Sequence, residues 1–187
     1  MSAAPARLRR NAGARRAVVP TMPRSLLMIL GLFGALCAAP VAHAAAAGEA
    51  APAFSLLTAA GDAVSLEQLR GKVVYVDFWA SWCGPCRRTF PWMNEMQRKY
   101  GGRGLAIVAV NVDKKRADAE RFLAQVPAAF TIVYDTAGAT PSAYGVKGMP
   151  SAYLVDPAGR IVAVEQGFRE EAAAELEARV RALLPAK

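Results

Sequence analysis

Cys83 and Cys86 stand three residues apart, just beyond a continuous β-branched and aromatic run, Val73-Val74-Tyr75-Val76-Asp77-Phe78-Trp79. Such a run reads as a strand buried on both faces, and here as the central strand of a sheet. From Pro85 to Tyr100 the pattern turns helical, with Phe90, Met93, Met96 and Gln97 at three- and four-residue steps and Gly101-Gly102 to end it. Pro91 falls inside that helix and is expected to kink it. The two thiols therefore belong to a strand–turn–helix junction. Cys83 is expected at the unpaired N–H groups and positive dipole end of the helix, which stabilise a thiolate, with Cys86 one turn further in and more buried. That asymmetry makes Cys83 the expected attacking sulfur, forming a mixed disulfide, and Cys86 the resolving one that displaces the reduced product. Pro85 suits the first helical turn, where its missing N–H is not needed.

The rest of the chain alternates strands and helices. Ala53 to Leu57 reads as a short strand, Gly61-Asp62 as a turn and Ser65 to Arg70 as a short helix begun by Ser65. Beyond the cysteine helix come a buried strand at Leu105 to Val112, a helix at Ala117 to Gln125, a strand at Thr131 to Tyr134 and a short helix at Thr140 to Tyr144. Ser151 to Val155 and Arg160 to Gln166 flank Asp156-Pro157-Ala158-Gly159, which predicts a β-hairpin. An amphipathic helix from Arg169 to Leu184, with Leu176, Val180 and Leu183 on its core stripe, closes the chain. The expectation is one α/β domain over residues 53–187, preceded by an Ala/Gly-rich linker at 45–52.

Residues 1–44 read differently. Six arginines, among them Arg7, Arg9, Arg10 and Arg24, precede an apolar run from Leu26 to Ala39, and no acid occurs before Glu49. The run has 14 residues, short of the ~20 that cross a bilayer, and Ala42-His43-Ala44 offers a small-x-small cleavage pattern. This predicts a signal peptide cleaved after Ala44 and an exported, periplasmic protein, with an uncleaved membrane anchor as the alternative. Cleavage changes the charge: the formal net charge of +8 falls to +2, with 17 Lys and Arg left against 15 Asp and Glu. The basic excess belongs to the targeting segment, so no nucleic-acid partner is expected, and Lys114-Lys115-Arg116 reads as a solvated helix start. Cys37 and His43 leave with the signal, and a histidine-free domain with one close cysteine pair has no Cys-His, Ser-His or His-metal chemistry to offer. Export with a single pair favours redox work over a structural disulfide framework.

Val76-Asp77-Phe78-Trp79-Ala80-Ser81-Trp82-Cys83-Gly84-Pro85-Cys86 closely resembles the active-site segment of thioredoxins. Tyr144-Gly145-Val146-Lys147-Gly148-Met149-Pro150-Ser151 resembles the loop that carries the thioredoxin cis-proline, with Ser151 where Thr is more usual. Between Cys86 and Pro150 lie 64 positions, more than a bare thioredoxin needs, and the extra helix and strand at about Ala117 to Tyr134 resemble the exported TlpA/ResA branch. The resemblance implies a mixed central sheet flanked by helices and a cis peptide at Pro150. It also implies a substrate surface of Trp82, Gly84, Pro85, Met149 and Pro150, in which Met149 pairs its backbone with an extended substrate strand.

Asp77 lies six residues before Cys83 inside an apolar strand, where an unpaired carboxylate is costly and its pKa should rise. It matches the buried thioredoxin acid, which implies that it exchanges a proton with Cys86. Two positions depart from the pattern: Ala109 stands where thioredoxin has the lysine beside this acid, and Thr89 where many TlpA/ResA proteins have a Glu. Trp79 and Trp92 read as core, Trp79 and Trp82 as neighbours of the dithiol. Taken together these features predict a thiol–disulfide oxidoreductase that needs no cofactor or metal beyond its own Cys83–Cys86 disulfide. Gly-Pro between the cysteines resembles reductants, which implies protein disulfide substrates, apocytochrome c or a copper-site assembly factor among them, and a membrane electron donor. The rival readings are a disulfide-forming oxidase, a peroxiredoxin-like peroxidase, disfavoured by Ala80 three before Cys83, and a copper-handling carrier. The sequence carries no sign of oligomeric state.

Overall fold

The computed structural model describes residues 44–186; residues 1–43 of the expected signal segment, with Cys37 and His43, lie outside them. Among the described residues the strands and α-helices follow in chain order: β1 (Ser55–Leu57), β2 (Ala63–Ser65), β3 (Val73–Trp79), α1 (Cys86–Tyr100), β4 (Leu105–Asn111), α2 (Arg116–Gln125), β5 (Thr131–Tyr134), α3 (Ala139–Tyr144), β6 (Ser151–Val155), β7 (Ile161–Gln166) and α4 (Ala173–Leu183). The strands form one sheet in the order β2-β1-β5-β4-β3-β6-β7. β3, β4 and β5 run parallel, while β6, β7, β1 and β2 pair antiparallel, so the sheet is mixed.

All seven residues of β3 are buried, as its unbroken apolar pattern requires. It is interior rather than central: β5 and the β1–β2 hairpin that pairs with it lie on the far side of β4, which puts β4 in the middle. The β3 side chains alternate between two clusters. Val73, Tyr75 and Trp79 join Phe90, Met93 and Met96 of α1, Phe122 of α2 and Leu176 and Val180 of α4. Val74, Val76 and Phe78 join Phe54, Leu66 and Tyr144. Phe90 links the parts of the first cluster, meeting Trp79, Phe122 and Phe130 with ring centroids 5.0, 5.2 and 5.2 Å away. Each such fully buried ring contributes about 2–3 kcal/mol by burial alone.

Several expectations are corrected in detail. The first strand is shorter than Ala53–Leu57 because Ala63–Ser65 folds back onto it, a three-residue strand too brief to show a pattern. The helix expected at Ser65–Arg70 is one 3₁₀ turn, Glu67–Leu69. Ser65 still caps it: its hydroxyl accepts from the Gln68 N–H while the Gln68 side chain accepts from the Ser65 N–H. The last helix begins with a 3₁₀ turn at Glu170–Ala172 before α4 proper. The expected hairpin forms, its turn closed by the Gly159 N–H to the Asp156 carbonyl and by left-handed backbone at Gly159. Residues 45–52 lie along the domain, with Gly48 and Ala51 N–H groups donating to the Ile161 and Gly159 carbonyls.

Candidate active site

The end of β3 delivers the chain into the loop Ala80–Pro85, and α1 begins at Cys86. Cys83 and Cys86 are joined as a disulfide, Cα atoms 5.4 Å apart. The Cys86 N–H, at the first position of the helix, is shared between the Cys83 carbonyl at 3.1 Å and the Cys83 sulfur at 3.2 Å. A thiolate formed at Cys83 would keep that donor, and the helix dipole adds to its stabilisation. Cys86 is fully buried; Cys83 is slightly less so and is followed by the exposed Gly84 and Pro85.

The register of β6 on β3 places Ser151 opposite Phe78, so Met149 and Pro150 arrive where β3 gives way to the dithiol loop. Met149–Pro150 is cis, as the resemblance implied. Met149 packs on the cluster that contains both cysteines, and Ser151 donates its hydroxyl to the Gly148 carbonyl at 2.7 Å. Trp79 belongs to that same cluster, whereas Trp82, the residue before Cys83, is 70% exposed. Trp92 is half-buried, edge-on to Tyr75.

Asp77 is buried, and neither carboxyl oxygen has a hydrogen-bond partner among the described residues. Burial pushes its pKa well above the ordinary carboxylate range. Opposite it on β4 stands Ala109, so the missing lysine leaves no basic neighbour there. Thr89 is buried and donates its hydroxyl to the Cys86 carbonyl at 2.8 Å. Asp77, Thr89 and Pro150 share a cavity of about 380 Å³ whose lining continues along β7 to the start of the last helix.

Sequence reasoning missed the group that anchors the loop. Asp113, buried just past β4, accepts the Ser81 N–H and hydroxyl, both at 2.9 Å, and the Asn111 side-chain amide at 2.8 Å. These bonds tie the approach to Cys83 to the end of the neighbouring strand. An acid directly after an apolar strand reads as a loop residue, and only the fold reveals that it faces Ser81. No group of three or more His, Cys, Asp or Glu among the described residues is arranged to hold a metal ion.

A disulfide at the mouth of a helix on such a sheet is placed to exchange with another thiol pair, which is the chemistry of thioredoxin-like thiol–disulfide oxidoreductases, and this chain is an enzyme of that class. It belongs to the Redoxin family, whose sequence profile matches residues 46–180. The chain is 35% identical to the thiol-disulfide oxidoreductase ResA of Bacillus subtilis over 66% of its length and 69% of the relative's. With ResA of Bacillus anthracis it shares 32% identity over 74% of its own length and 79% of that protein. A crystal structure described as a thiol:disulfide interchange protein DsbE from Chlorobium tepidum superposes with a TM-score of 0.72 and 50% identity, covering 75% of this chain and 99% of the other. The chain is thus thioredoxin-like and of the TlpA/ResA type, as its two motifs implied.

Proposed function

We propose that the enzyme works outside the cytoplasm as a reductant of protein disulfides, with Cys83 attacking and Cys86 resolving. The observation that carries this reading is the Cys86 N–H aimed at the Cys83 sulfur at the start of α1, which favours charge on Cys83 and none on Cys86. In the first step the Cys83 thiolate attacks a substrate disulfide, and one substrate sulfur leaves as a thiolate. In the second the Cys86 thiol loses its proton, attacks the Cys83 sulfur and releases the other substrate thiolate, leaving the Cys83–Cys86 disulfide. Asp77 is the group to take that proton, being buried beneath the junction and poised by its raised pKa to exchange protons nearer neutrality than an ordinary carboxylate.

Trp82 and the exposed Gly84 and Pro85 on one side, and Met149 and Pro150 on the other, form the surface on which a substrate strand lies. No further cofactor is needed; the two electrons reside in the dithiol. Export is supported by the signal-like first 44 residues, and no helix among the described residues is long and apolar enough to cross a membrane. An exported reductant must be recharged by a membrane electron donor, and the resemblance to the TlpA/ResA branch favours the disulfide of apocytochrome c as substrate, with its dithiol as product. The test is trapping: Cys86→Ser should accumulate a covalent mixed disulfide with substrate protein through Cys83, visible on non-reducing gels and by mass spectrometry. A trapped complex formed by Cys83→Ser instead would reverse the assigned roles.

A further inference from the structure

Strand register sets Ala109, Asp77, Ala152 and Glu165 in one row: Asp77 lies opposite Ala109 on β4 and Ala152 on β6, and Ala152 lies opposite Glu165 on β7. Directly opposed residues point to the same face of a sheet, so both carboxyls rise from the face that carries α1 and α4. Two strand spacings put the two acid backbones about 10 Å apart, with only the Ala152 methyl between them. That gap is part of the cavity beneath Pro150, which Asp77 and Glu165 both line, and whose size and polar walls suit several waters. Ala109, on the other flank of Asp77, is fully buried in the apolar cluster and brings no charge. The Thr89 hydroxyl is committed to the Cys86 carbonyl.

We propose that Glu165 is the outer station of a proton path that joins solvent to Cys86 through the cavity and Asp77. The inference rests on the reading of Cys83 and Cys86 as the working couple. When Cys86 attacks the mixed disulfide, its proton passes to the Asp77 carboxylate. The Asp77 carboxyl then releases it through cavity water to Glu165 and on to solvent, and the path runs in reverse when the disulfide is reduced. No electrons move along it.

The groups that face this path are few. Tyr75 and Asp77 come from β3, Glu165 from β7, and Arg169 from the connection to the last helix, where it stands exposed at the cavity rim. Tyr75 feels both acids, its hydroxyl being raised first by burial and then by the charges of Asp77 and Glu165. From α4, Arg179 approaches Glu165 at 3.6 Å while bonding Glu175 at 2.7 Å. Glu165 is about a quarter exposed, so it reaches both cavity and solvent.

The resolving step provides the test. Reduced mature protein is mixed with 5,5′-dithiobis(2-nitrobenzoate), whose first thionitrobenzoate leaves on attack by Cys83 and whose second leaves on resolution by Cys86; stopped-flow absorbance separates the two. Glu165→Gln should slow the second release about tenfold near neutral pH, below the 10²–10⁴-fold typical of losing a direct general base. It should also flatten the pH profile, with acetate or imidazole buffer restoring the rate. Glu165→Asp should keep most of the rate, and Glu165→Gln added to Asp77→Asn should slow it no further than Asp77→Asn alone. A Glu165→Gln profile superimposable on the wild type, with Asp77→Asn slow, would overturn the role of Glu165 and leave the dithiol reading intact. Wild-type resolution in Asp77→Asn would overturn the whole path. Absence of a second release in the wild type would overturn the dithiol reading beneath it.

Discussion

Asp77 is the residue where position and cost disagree most sharply, a carboxyl inside a sheet with no partner among the described residues. Its folded pKa lies above the value of 3.8 it has when exposed, so the folded state holds its proton more tightly than the unfolded chain does. The associated stabilisation is complete below about pH 4 and is lost as pH rises through the folded pKa. Asp77→Asn cannot ionise, so its stability relative to wild type should climb over that same range. Urea midpoints measured from pH 4 to 8 check this, and parallel curves would contradict it. Both the acid and its missing lysine were legible in the sequence, because one sits at a fixed spacing from Cys83 and the other at a readable register position. Glu165 was not, since its relation to Asp77 exists only through two strand pairings that no local pattern encodes.

At the scale of elements, the β3–α1 junction is held from two sides. Beneath it Phe90 joins α1 to Trp79 of β3, Phe122 of α2 and Phe130, so Phe90→Ala should cost about 3–5 kcal/mol in chemical denaturation. Above it Asp113→Ala would leave the Ser81 N–H and the Asn111 amide unsatisfied, a loss of about 2–3 kcal/mol. Asp113→Asn, which keeps an acceptor, should recover part of that loss. If both Asp113 variants match the wild type in stability, the loop does not depend on this anchor. Long buried elements were readable because their periodicity is sustained: β3, β5 and β6 start and end as expected, and α1 differs by one residue. β2 was not readable, because three residues cannot display an alternation, and its existence depends on β1 as a partner.

For the whole molecule, the mixed sheet and the two widely separated motifs were foreseeable, but the place of β3 within the sheet was not, since strand order is decided by where α2 and β5 dock. The first 44 residues bear on location, and the exported protein should begin at Ala45, as intact mass will read. A product retaining the Arg-rich segment would mark an anchored form. The central claim is that this fold carries a reducing dithiol, and the reduction potential of the Cys83–Cys86 couple in the mature domain tests it most directly. With Gly84-Pro85 between the cysteines, as in thioredoxins, the account predicts a value near thioredoxin's, about −270 mV, in equilibrium with a glutathione or dithiothreitol redox buffer. A value near about −120 mV, that of the oxidant DsbA, would mean that the enzyme forms disulfides instead of breaking them.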